Sequence, residues 1–149
     1  MSQNSLKLSE IFKETDTIAY GPFALKNLHQ RYDLAEFTVH GAEIKLMPQE
    51  KKLMALLISL KGEYLTRKMY DDALDSEKIS SPKKIQIYVS SIRKRIAEQL
   101  KGTELEDMAK DFQKYFESAN PVRSEGEQGK EQPREMYGAY RLAVPTLQS

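Results

Sequence analysis

KLMPQEKKLMALLISLKGEYLTRKMYDDALDSEKISSPKKIQIYVSSIRKRI, residues 45–96, decides the fold, because it reads as three helices in quick succession. The first opens at Pro48, since proline suits the first helical position and Glu50 favours the positive end of the helix dipole. Leu53, Met54, Leu56, Leu57 and Leu60 give it a broad apolar face, and Gly62 ends it. Thr66 caps a second helix, Arg67 to Leu74, whose Met69, Tyr70, Ala73 and Leu74 pack on the first. A polar loop, Asp75–Ser81, leads to a Ser-Ser-Pro restart signal.

The third helix is expected over residues 82–100. Ile85, Val89, Ile92, Ile96 and Leu100 fall at steps of three and four and form one buried stripe. At about 100° per residue the opposite face carries Lys83, Ile87, Ser90, Ser91 and Lys94, with Arg93 and Arg95 on its flanks. A helix apolar on one side and cationic elsewhere, set behind two packing helices, is how a chain presents a helix to a DNA major groove. Ile87 is apolar where solvent is expected: it lies beneath a neighbouring loop or meets a thymine methyl group.

Outward from this stretch, residues 1–21 form a polar extension with a short helix around Ser9–Lys13. FALKNLHQRY (23–32), LAEFTV (34–39) and EIKLM (43–47) alternate apolar and polar residues around a turn at His40-Gly41, which predicts a small antiparallel sheet. On the other side, Thr103-Glu-Leu-Glu106 has the form of a capping box and predicts a fourth helix over 103–119. Leu105, Met108, Phe112, Tyr115 and Phe116 lie on its stripe, either as core or as a surface for a protein partner. NPVRSEGEQGKEQP (120–133) reads as a flexible loop, Met136–Val144 as a terminal strand or hairpin, and 145–149 as a tail.

At 149 residues the chain suits one domain, over residues 22–144, large enough for a real core. A net charge of +1 argues against a globally basic nucleic-acid coat, so any nucleic-acid binding must come from local charge. The basic third helix does contrast with Asp71, Asp72, Asp75 and Glu77 before it, and with Glu125, Glu127 and Glu131 after it. The absence of cysteine excludes disulfides, thiolate metal sites and cysteine nucleophiles, and suits the cytoplasm. The N-terminal residues lack the apolar region of a secretory signal, and no run approaches membrane-spanning length, so no membrane association is expected.

Enzymatic chemistry has little support. His29 and His40 are the only histidines, both in predicted strand or turn positions. Ser81-Pro-Lys-Lys84 spells the Ser-x-x-Lys of some acyl-transfer enzymes, but without companion motifs. Asp71/Asp72 and Glu104/Glu106 lack convergent metal spacing, and no glycine-rich phosphate loop is present. The expectation is therefore no catalytic residue, no metal and no cofactor.

The order of sheet, three helices and terminal hairpin resembles the winged-helix DNA-binding domain of OmpR/PhoB-type bacterial response regulators. Leu46-Met-Pro-Gln-Glu50 is similar to that family's Leu-Thr-Pro-Gln-Glu opening, and Gly62-Glu-Tyr-Leu-Thr-Arg67 to its Gly-Glu-x-Leu-Ser-Arg turn. Ile85–Ile96 resembles its recognition helix, and Gly138-Ala-Tyr-Arg-Leu142 the close of its wing. The resemblance implies an α+β winged helix-turn-helix with an N-terminal sheet, a three-helix core and a C-terminal wing. It implies double-stranded DNA as the partner, the third helix lying in the major groove and the wing along the minor groove. Lys83, Ile87, Tyr88, Ser90, Ser91 and Arg93 match the family's DNA-facing positions, and Lys84, Lys94 and Arg95 extend the phosphate footprint. On the wing the matching candidates are Arg134, Tyr137 and Arg141. Asp75–Ser81 matches a segment that touches RNA polymerase in some members, and members often bind tandem repeats, which would make a homodimer on DNA.

Several departures follow from the same comparison. No receiver domain is present, so control without a phosphoacceptor is expected. Ser90 and Ser91 stand where several members carry arginine, and Met136 at the usual wing arginine, which implies a different or weaker sequence preference. Met47 replaces the threonine that would cap the first helix. Residues 101–133 form an insertion between recognition helix and wing, able to extend the contact surface, build a dimer interface or block the groove. A second reading is therefore an interaction module that binds RNA polymerase or another regulator through the inserted helix 103–119.

Overall fold

The computed structural model describes residues 16–28, 34–73, 83–119 and 138–144. Four short strands, β1 (Ile18–Tyr20), β2 (Phe23–Lys26), β3 (Glu36–Val39) and β4 (Ala42–Glu43), form an antiparallel sheet in chain order. Three helices follow: α1 (Pro48–Leu60), α2 (Arg67–Ala73) and α3 (Lys84–Leu100). A 3₁₀ turn at Glu106–Met108 runs into a six-residue helix, α4 (Ala109–Lys114). Strands β5 (Phe116–Ser118) and β6 (Tyr140–Leu142) then pair antiparallel as a C-terminal two-stranded hairpin. The fold is α+β.

The sheet begins earlier than expected. Ile18–Tyr20, assigned above to the N-terminal extension, pairs with β2 in the register Ile18↔Leu25 and Tyr20↔Phe23. Gly21, with φ of +62°, makes the tight reversal that brings the two strands together. The Gly21-Pro22 turn was the missed signal. The short helix around Ser9–Lys13 lies outside the described residues, as does Leu74 at the end of α2.

Helix α1 is the centre of the molecule. Leu53 to Ile58 are all fully buried, so it is apolar all round, and it touches β1, β2, β6 and α3. Its start is held by Glu50, whose Oε1 accepts the Met47 N–H at 2.8 Å; Met47 offers no side-chain cap. Its end turns through Lys61 and Gly62, both in the left-handed region. The α3 stripe is as expected: Ile85, Val89, Ile92, Ile96 and Leu100 are all buried. A side-chain clamp ties the C-terminal end of α3 to the strand side of α1. Lys45 N–H donates to Gln99 Oε1 at 2.8 Å, and Gln99 Nε2 donates to the Lys45 carbonyl at 3.0 Å.

The fourth helix is present but does not span the expected 103–119: only Ala109–Lys114 is α-helical. Gly102, at φ of +83°, breaks the chain away from α3. The capping box is also not made as expected. Thr103 Oγ1 accepts the Leu105 N–H and donates to the Leu100 carbonyl, while Glu106 Oε1 accepts the Gly102 N–H. These bonds close a turn instead of starting a long helix. Beyond α4 the chain becomes β5, whose Phe116 lies opposite Leu142.

The cause is packing around Phe23, which stacks on Phe37 at a centroid distance of 6.1 Å. Phe112, Tyr115 and Phe116 meet its ring edge-on at 6.5, 6.2 and 5.5 Å. A three-four spacing of aromatics says that they share a side, but whether the chain arrives as helix or strand is set by which backbone is available to pair with. Here β6 is, and it also meets Leu65 through the paired bonds Leu65 N–H to Tyr140 O (2.8 Å) and Tyr140 N–H to Leu65 O (3.3 Å). The insertion therefore divides: residues 101–115 precede the hairpin, 116–118 are its first strand, and the sequence 120–133 falls between its two strands.

Candidate nucleic-acid interface

Helix α3 carries the densest block of positive charge and is oriented by its own buried stripe. Lys83, Lys84, Gln86, Ile87, Ser90 and Lys94 are exposed along the side opposite that stripe, with Glu98 further on. Among the described residues neither Lys84 nor Lys94 is held in an ion pair. Ile87 is 61 % exposed, so it is not covered by a neighbouring loop.

The flanks are different. Ser91 and Arg95, one turn apart, both turn toward α1 and meet Glu50. Ser91 Oγ donates to Glu50 Oε2 at 2.6 Å, and Arg95 Nε lies 2.8 Å from Glu50 Oε1. Glu50 is only 3 % exposed. Burying its charge would be costly alone, and these two groups with the Met47 N–H supply both oxygens with partners. The same contacts fix the rotation of α3 about its axis, and so the direction in which Ile87 and Ser90 point. Ser91, matched to DNA by resemblance, and Arg95, assigned to the phosphate footprint, thus have a structural partner. Glu50 was read only as a dipole partner; its second role needed the tertiary structure.

Arg93 is half-buried, with its Nε out of contact with solvent. Tyr88 is also half-buried and packs on the core near Tyr70 of α2. The Tyr70 hydroxyl is fully enclosed without a hydrogen-bond partner among the described residues, and burial, with Tyr88 and Asp71 nearby, pushes its phenol well above the usual tyrosine range.

On the hairpin, Arg141 lies directly across from Glu117. Its Nε donates to Glu117 Oε1 at 2.5 Å, its guanidinium stands 5.1 Å from the Tyr64 ring centroid, and Nη1 reaches the Gly62 carbonyl at 3.5 Å. The hydrogen bond to Glu117 holds this guanidinium above its already high ordinary pKa. Arg134 and Tyr137 lie outside the described residues, as does the Asp75–Ser81 segment.

The five residues proposed for a protein partner do not form one open stripe. Phe112 and Phe116 are 2 % and 5 % exposed and belong to the core, Leu105 and Tyr115 are half-buried, and only Met108 is exposed, at 36 %. His40 is an exposed turn residue beside Phe112, and His29 lies outside the described residues. Among the described residues no cluster of three histidines or carboxylates could hold a metal, and no helix is long and apolar enough to cross a membrane. No protein-family model matches the chain, and no curated protein matches it in sequence.

Proposed function

We propose that this chain is a DNA-binding transcriptional regulator of the winged helix-turn-helix kind, acting in the cytoplasm. In this reading α3 enters the major groove of double-stranded DNA and the β5–β6 hairpin lies along the neighbouring minor groove. The observation that carries it is the polarity of α3. One side is a continuous buried stripe, and the other offers Lys83, Lys84 and Lys94 around a small uncharged centre. Lysines at the edges neutralise phosphates, while short side chains between them let the helix approach base edges. Along the chain the sheet, the three helices and the hairpin follow one another in the order that the resemblance would call for.

The alternative of a protein-binding module, motivated by the absent arginines at Ser90, Ser91 and Met136, is less favoured, since Phe112 and Phe116 of its proposed surface are buried and Leu105 and Tyr115 half-buried. Non-covalent binding to DNA asks for no catalytic group and no cofactor.

The test is fluorescence anisotropy of a labelled duplex against salt. Wild type is compared with Lys83→Ala/Lys84→Ala/Lys94→Ala, which leaves the Glu50 contacts intact. The expected result is salt-sensitive binding whose log–log slope becomes shallower by about 0.9 for each lysine that reaches a phosphate. Absence of salt-dependent binding by wild type at low ionic strength overturns the reading.

A further inference from the structure

We infer that the exposed side of α3 selects A·T base pairs, with Ile87 reading the thymine methyl group and Gln86 reading adenine. This rests on the DNA-binding reading above and specifies its substrate.

The argument begins with what the helix withholds. Guanine is read best by an arginine that forms two hydrogen bonds to O6 and N7. Of the three arginines of α3 and the hairpin within the described residues, two are paired with carboxylates of the protein and the third is half-buried. Arg95 is held by Glu50, and Arg141 by Glu117. Arg93 is half-buried, with its Nε out of contact with solvent.

What remains exposed is Ile87 and Ser90 at the centre and Gln86 on the flank, about 100° around the helix from Ile87. Glutamine matches the donor and acceptor pair that adenine presents at N6 and N7. An aliphatic group matches the thymine methyl, and serine accepts or donates without preference. Ile87 is 61 % exposed on a face otherwise polar, and keeping an isoleucine in water there costs solvation that a methyl contact would recover.

Lysine can also read guanine, so the position of the lysines matters. Lys84 and Lys94 are ten residues apart, about 15 Å along the helix, against a groove about 12 Å wide. Ile87 and Ser90 fall between them, which leaves the lysines nearest the phosphate walls. Glu98, the acidic residue on this side, is a further turn beyond Lys94 and clear of the centre.

The experiment uses the full chain and three duplexes of equal length: alternating dA·dT, the same duplex with deoxyuridine in place of thymidine, and alternating dG·dC. Uracil differs from thymine only by the methyl group. Wild type is expected to bind the thymine duplex at least about fourfold more tightly than the uracil duplex, the worth of one methyl taken out of water. It should prefer both to dG·dC. Ile87→Ala should erase the thymine–uracil difference while keeping the salt slope. Gln86→Ala should narrow the gap to dG·dC and keep the thymine–uracil difference. Both positions are exposed helix sites where alanine is a good helix former, so folding is retained.

Equal wild-type binding to thymine and uracil duplexes, with an ordinary salt slope, overturns the inference and leaves the DNA-binding reading in place. A thymine–uracil difference that survives in Ile87→Ala overturns Ile87 as the reader. Failure of every duplex to bind overturns both readings together.

Discussion

Glu117 and Arg141 face each other across the β5–β6 hairpin, and Arg141 Nε donates to Glu117 Oε1 at 2.5 Å. The pair is about 40 % exposed on each side, so water screens it and its contribution to stability is small. On the proposed DNA-binding reading its effect on binding is larger, because a carboxylate beside the hairpin's arginine would repel a phosphate and occupy the group that would grip it. Glu117→Gln is expected to tighten DNA binding several-fold and steepen the salt slope by about one, as one more cation becomes available. Anisotropy titrations at several salt concentrations check this; an unchanged slope means that Arg141 does not face DNA.

Glu50 joins the start of α1 to the middle of α3. Glu50→Ala removes the acceptor for Ser91, Arg95 and the Met47 N–H at once. A loss of about 2–3 kcal/mol is expected from urea denaturation, moderated because Arg95 reaches solvent. Ser91→Ala should cost about 1 kcal/mol. Combined with Glu50→Ala it should add little more, since the shared contact is already gone.

Phe116→Ala should cost about 3–5 kcal/mol, because it empties a site lined by Phe23 and the hairpin. Met108→Ala, at an exposed position in the same segment, should stay within about 0.5 kcal/mol. Thermal melts of the two variants check it. Similar small effects at both positions would contradict a core role for Phe116.

Tyr70 buries a hydroxyl without a partner among the described residues, and its phenol is pushed upward. A group whose folded pKa is raised gives stability that is complete below the unfolded value, about 10 for tyrosine. That stability is lost as the pH rises above 10 toward the folded value, because only the unfolded chain ionises readily. Tyr70→Phe should therefore raise stability by about 1 kcal/mol at neutral pH and lessen the decline above pH 10. Chemical denaturation at pH 7 and at pH 10–11 measures both effects. A steeper alkaline decline in the variant would rule out this assignment.

Met47 has the extended backbone of a helix cap, at φ −75° and ψ 157°, but no side-chain oxygen to offer. Met47→Thr supplies one to the first turn of α1, where the Glu50 N–H now reaches only the Met47 carbonyl, and removes an apolar side chain that is more than half exposed. A gain of about 1 kcal/mol is expected in urea denaturation. No gain would mean that Glu50 already satisfies this end.

Periodicity was enough to place α1, α2 and α3 within one or two residues, and to name all five members of the buried α3 stripe. These elements are long or bounded by proline, glycine and threonine, so local chemistry and the burial of one face favour the same conformation. The alternation in residues 23–47 likewise located the middle of the sheet. Local pattern failed where two conformations bury the same side chains. Phe112 and Phe116 satisfy a helical spacing, yet Phe116 is in a strand, because β6 offers backbone partners and Phe23 offers an aromatic surface. Exposure of Lys83, Ile87, Ser90 and Lys94 was legible from the helix angle alone. That Ser91, Arg95 and Arg141 have carboxylate partners was not, since those partners lie 41, 45 and 24 residues away in the chain. A periodic pattern tells which way a side chain points. Only the packed molecule brings distant residues together and decides which charges meet a partner inside the protein.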